Sequence, residues 1–180
     1  LQAARLGDVA GVEQLIQAGA SPYWEDEKGY TALEVACERG DVALARRLLE
    51  LGEMPSARYV VAAVLGGSLD MLELLLQRGA WAQAKSVKGS YPLEVALGLG
   101  RAPFARRLFD GGATLERLEE EGIDPMQLAC ASGDCETVEL LLERGRGESI
   151  HYLVVAAELG RFAVVDLLLS YFGRLRPEWR

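Results

Sequence analysis

Leu15 and Ile16, Leu48 and Leu49, Leu74 to Leu76, Leu108 and Phe109, Leu140 to Leu142, and Leu167 to Leu169 form a series of short apolar clusters along the chain. Five of them are preceded by Leu44, Met71, Phe104, Val138 or Val164 at a distance of three or four residues. That spacing puts one apolar stripe on a helix whose other faces are polar. Upstream of each such segment lies a second one built from small and apolar residues, such as Thr31 to Cys37, which predicts an inner helix pressed between neighbours.

A glycine separates the two segments each time, at Gly7, Gly40, Gly67, Gly100, Gly133 and Gly160, with spacings of 33, 27, 33, 33 and 27 residues. A second glycine follows twelve positions later at Gly19, Gly52, Gly79, Gly112 and Gly145, with Phe172 in the sixth place. Helices commonly end in a residue with positive φ, which glycine adopts without steric cost, so these glycines are read as helix ends. Gly98-Leu99-Gly100 begins like a dinucleotide fingerprint but lacks the third glycine and a preceding strand, and is discounted. The pattern predicts an all-α chain in which one unit, helix, glycine turn, helix, is repeated six times.

The residues Thr31-Ala32-Leu33-Glu34-Val35-Ala36-Cys37-Glu38-Arg39-Gly40-Asp41 resemble the TPLHxAAxxGH signature of ankyrin repeats. Tyr91-Pro92-Leu93-Glu94-Val95-Ala96 and Asp124-Pro125-Met126-Gln127-Leu128-Ala129 match the same stretch, and Leu72 to Ala80 and Val138 to Gly145 resemble its second half, VxLLLxxGA. The resemblance implies an ankyrin-repeat solenoid, a right-handed stacked array with short finger loops, forming a single domain. Its repeats are placed at about 1–29, 30–55, 56–89, 90–122, 123–148 and 149–173, with a tail at 174–180. No unit keeps the histidine of the signature: Glu34, Glu94, Gln127 and Val154 stand there, so its hydrogen bonds are replaced or lost.

The 27-residue spacings shorten two connections, Glu53 to Ala57 and Arg146 to Ile150, to tight turns. Extended fingers are expected only after the first, third and fourth units. Phe172 in place of glycine suggests that the array ends there. A solenoid needs polar end faces, yet Phe162, Tyr171, Phe172 and Trp179 lie in or beside the last helix, with Arg174, Arg176 and Arg180. Either the tail folds back as a cap or this aromatic surface awaits a partner.

Charge and composition narrow the function. The net charge of −8 disfavours nucleic acid and anionic membranes and favours basic partners. The uncharged run from Tyr59 to Leu69 is too short to span a bilayer, which takes about 20 residues. One histidine and three cysteines without CxxC spacing offer no metal site or disulfide framework. No cofactor is expected, and no catalysis. Free cysteines favour a cytoplasmic setting, although a removed signal peptide remains compatible with the chain. Cys37 and Cys130 are expected in the core and Cys135 nearer the surface, with His151 as a turn residue. The absence of Asn and the ratio of 16 Arg to 3 Lys fit a GC-rich, bacterial coding sequence.

The resemblance implies protein binding by a monomer, through a concave groove and its fingers. The first finger combines Tyr23, Trp24 and Tyr30 with Glu25, Asp26 and Glu27, and aromatic anchors ringed by charge are typical of hot spots. The middle finger carries Trp81, Lys85 and Lys88. The last carries Glu116, Glu119, Glu120 and Glu121, either a binding surface or simply a solvated loop. Residues just before each turn glycine, including Glu38, Arg39, Leu65 and Leu99, should point into the groove. If Leu6, Leu65, Leu99 and Leu159 are exposed, a peptide or helix is the natural ligand; if they pack under fingers, they are core. A partner with basic segments suits the acidic fingers, whether the chain is a general binding module or a dedicated inhibitor or immunity protein that blocks a basic toxin or enzyme.

Overall fold

A computed structural model describes residues 1–147 and 149–175. Its backbone falls into two compact units, Leu1–Pro92 and the residues from Leu93 onward. The first contains α1 (Gln2–Leu6), α2 (Val9–Gln17), α3 (Ala32–Arg39), α4 (Val42–Glu50), α5 (Ala57–Gly66) and α6 (Leu69–Gln77). The second contains α7 (Pro92–Gly98, which starts at the boundary), α8 (Ala102–Asp110), α9 (Glu116–Glu120), α10 (Pro125–Ser132), α11 (Cys135–Leu142), α12 (His151–Glu158) and α13 (Phe162–Leu175). Trp179, Arg176 and Arg180 lie outside the described residues, and with them the question of a terminal cap.

Four of the helix pairs are punctuated by two adjacent residues with opposite tasks. Gly40 closes α3 in the left-handed region at φ 69°, and Asp41 then accepts the Leu44 amide at 3.0 Å to open α4. Gly7 with Asp8, Gly67 with Ser68 and Gly133 with Asp134 repeat this arrangement at α2, α6 and α11. In the first unit α3 packs on α5 and α4 on α6, around the fully buried Leu33, Leu44, Leu48, Met71, Leu72 and Leu75. In the second, α10 packs on α12 and α11 on α8 and α13, around Leu97, Leu108, Met126, Leu140 and Leu141.

Two expectations change. The link after α8 is not an extended finger, because Leu115 and Leu118 are buried and wind the segment between them into the helical turn α9. Its acidic residues therefore stand on a short amphipathic helix. The last helix also runs past Phe172 and into the stretch expected as a tail, 174–180. Without a left-handed glycine there, α13 runs on to Leu175 and Phe172 is buried, 6% exposed.

Candidate protein-binding surface

The two true fingers have the same turn, closed by different side chains. In the first, the Asp26 amide donates to the Tyr30 carbonyl at 3.0 Å, while Asp26 Oδ1 accepts from the Lys28 and Tyr30 amides at 2.9 Å each. In the other, the Ser86 amide donates to the Ser90 carbonyl at 2.9 Å and Ser86 Oγ accepts from the Ser90 amide at 3.2 Å. The Tyr30 amide, assisted by that of Lys28 and by the Arg5 charge, holds the Asp26 carboxyl below its ordinary range. Asp26 is thus a turn residue, and its outer oxygen meets Arg5 Nη2 at 2.9 Å.

Behind the fingers lies an ion network built on Glu34, the residue in the histidine position of the second repeat. Its side chain is 4% exposed. Arg58, at the start of α5, donates to Glu34 Oε2 through Nε at 2.8 Å and also through Nη2, which reaches the Gly29 carbonyl as well. Arg58 Nη1 donates to Glu25, and Lys88 Nζ reaches Glu34 Oε1 at 3.2 Å while standing 4.5 Å from the centre of the Tyr30 ring. The missing histidine bonds are therefore replaced by a charged cluster that ties both fingers to α3 and α5. Arg58 and Glu34, which carry this cluster, escape a reading of single motifs. The one signal was the unusual carboxylate at position 34.

Deeper still, Thr31 Oγ1 donates to Tyr59 Oη and Tyr59 Oη donates to Glu53 Oε2, each at 3.3 Å. Burial raises the Glu53 carboxyl and pushes the Tyr59 hydroxyl up to about 12. A carboxyl raised on folding contributes most below its unfolded pKa, and that contribution is lost as pH rises through the folded value. Glu53→Gln keeps an acceptor for Tyr59, and is expected to stabilise the chain by about 1 kcal/mol at neutral pH, the scale of one relieved buried polar group. In urea melts, the gap between variant and parent should grow between pH 4 and pH 7; a constant gap would assign the effect to packing.

Four of the predicted surface residues of the first unit line two hollows. Trp24, 58% exposed, lines an apolar hollow of about 300 Å³ with Leu15, Ile16, Pro22 and Leu48. Tyr30, Glu38 and Arg39 line a second hollow of about 470 Å³, together with Arg5, Lys28 and Val35. Tyr23 is exposed and donates from its hydroxyl to the Gly52 carbonyl at 3.0 Å. Leu65 borders a small recess with Val61, Val87 and Lys88. Trp81 is exposed on the second finger, and Val87, which pattern reading passed over, is more exposed still at 82%. Glu25 and Asp26 are engaged by Arg58 and Arg5, and Glu27 is exposed. Burial, followed by the charge of Glu34, raises the Glu38 carboxyl.

In the second unit, Glu120 is exposed and paired with Arg117 at 3.3 Å, and Glu121 is exposed. Glu116 and Glu119 both meet Arg146, at 3.0 and 2.9 Å, which anchors α9 to the link after α11. Leu99 and Leu159 are exposed at the ends of α7 and α12. In the first unit Leu6 and Leu65 are exposed as well, so none of these four leucines is core. Cys37 and Cys130 are buried, and burial raises both thiols, Cys130 to about 12. Among the described residues, no three His, Cys, Asp or Glu side chains are grouped to hold a metal ion. No helix among them is long and apolar enough to cross a membrane.

Helix pairs punctuated by glycine and fingers closed by a hairpin-like turn define an ankyrin-type repeat protein. A family model for ankyrin repeats in three copies matches residues 1–85 and again 60–151, and the chain belongs to the ankyrin-repeat family. It is similar to the E3 ubiquitin-protein ligase KEG of Arabidopsis thaliana, at 27% identity over 83% of this chain and 9% of that protein. The B-cell lymphoma 3 protein homolog of Mus musculus is 32% identical over 57% of this chain and 33% of its own length. The crystal structure of the human ASB11 ankyrin repeat domain superposes with a TM-score of 0.79, at 26% identity, covering 94% of this chain and 81% of that one. The chain spans a third or less of these curated relatives, and their whole activities are their own. What the family supplies is an interaction module, typically without catalysis.

Proposed function

We propose that this chain acts, without catalysis and as a monomer, by binding a partner protein on the fingers and on the exposed ends of its inner helices. One observation carries the reading. The large apolar side chains left exposed include Leu6, Trp24, Leu65, Trp81 and Val87 in the first unit and Leu99 and Leu159 in the second, at finger tips and helix ends where they serve no core. A partner with basic segments draws only modest support from charge, because Glu25, Asp26 and Glu120 are each already matched by an arginine. The inhibitor reading rests on that same acidity and is not favoured over a general binding module.

The test is capture of the partner from the native organism, followed by calorimetry with Trp24→Ala combined with Tyr30→Ala. Loss of two hot-spot aromatics is expected to weaken binding by about 2 kcal/mol. Affinity unchanged in a variant with an unaltered melting curve would move the site off the first finger.

A further inference from the structure

The hollow beside Tyr30 has a sign opposite to that of the chain. Its lining carries three cations, Arg5, Lys28 and Arg39, against one acid, Glu38. Arg5 is answered by Asp26 at 2.9 Å. Neither Lys28 nor Arg39 has a carboxylate within ion-pair distance among the described residues, and both are exposed. The Arg39 guanidinium is nevertheless held in place, because its Nη1 donates to the Arg5 carbonyl at 2.6 Å. That bond uses one edge of the fork and leaves the remaining N–H groups for a planar acceptor.

Resting on the protein-binding reading above, we propose that this hollow takes the carboxylate of an aspartate or glutamate side chain on an extended segment of the partner. Charge and size both point there. Counting Asp26 with the lining, the site is left with one formal positive charge, the match for one carboxylate, and Glu38 opposes a more highly charged anion. A volume of about 470 Å³ holds a side chain together with a stretch of backbone, well beyond the needs of a lone ion. Glu38 also borders the recess formed by Val61, Leu65 and Val87. A segment filling both places the acidic side chain beside Lys28 and Arg39 and an apolar one against Leu65, so the carboxylate belongs to a side chain within the segment.

The experiment exposes the intact chain to two arrays of random nonapeptides, one with amidated C-termini, so that any carboxylate comes from a side chain, and one with free C-termini as the comparison. Selected peptides are expected to share Asp or Glu at one position, with an apolar residue a few places away. Lys28→Ala with Arg39→Gln should weaken the best peptide about tenfold, the scale of a charge-assisted contact, and Glu38→Gln should tighten it. Replacing the peptide's Asp by Asn should cost as much in the parent and nothing further in the double variant. Arg39→Lys, with an unchanged melting curve, should lose part of the affinity if the fork is used. Enrichment of Lys or Arg would overturn the proposal, as would an acidic preference undiminished in the double variant, or binding only of peptides with a free C-terminus. Peptides selected without any charged position would end this inference and leave protein binding standing. Selection of none would also end it, and the partner-capture test would then decide the broader reading separately.

Discussion

Arg58→Ala is expected to lower the stability of the chain by about 3 kcal/mol, the scale for removing one member of a buried ion pair. The side chains of Arg58 and Glu34 are 14% and 4% exposed. Arg58 supplies two of the hydrogen bonds to Glu34 and also satisfies the Gly29 carbonyl and Glu25. Its removal leaves Glu34 dependent on Lys88, a side chain that is 57% exposed and 3.2 Å away. Replacing both Arg58 and Glu34, by Met and Leu, should recover most of the loss, because the charges left behind, Glu25 and Lys88, are half exposed and no buried charge stays uncompensated. Urea melts of the single and double variants check this, and a single variant within about 0.5 kcal/mol of the parent would show that the network adds nothing to stability.

Gly66→Ala is expected to cost about 3 kcal/mol, the upper end for overpacking. Gly66 is the last residue of α5, and a Cβ there would stand 2.4 Å from the Glu38 carbonyl oxygen and 2.8 Å from that of Cys37. Both obstacles are backbone atoms of α3, so no rotamer change relieves the clash and the two inner helices must separate. A surface alanine substitution in a helix would instead gain from better propensity. Thermal melts of the Gly66→Ala chain should therefore show a lower midpoint, whereas an unchanged or raised midpoint would mean that α3 and α5 shift freely.

The helix pairs and their ends were legible because every signal for them is local. Gly40-Asp41 states both the stop and the start in two residues, and the apolar stripes need only a short window. Helix α9 was hidden by its own acids. Four glutamates in six residues look like a solvated loop, and the two leucines that fold the segment, Leu115 and Leu118, carry weight only once they are buried. The ion network was illegible for another reason: Arg58 lies 24 residues from Glu34, and Lys88 lies 54 residues from it. Composition counts such charges but does not say which have been spent on one another. For that reason the first finger looked acidic in the sequence, while the hollow beside it is cationic.

That reversal separates how a partner arrives from how it stays. At low ionic strength the chain's net charge of −8 sets the field that a distant molecule senses and slows an acidic one on approach. At 0.15 M salt the screening length is about 8 Å, so beyond the width of the hollow that field fades, while Lys28 and Arg39 act at contact. Moderate salt should thus speed the arrival of an acidic segment even as it loosens the complex once formed, so that association and dissociation rates both rise together.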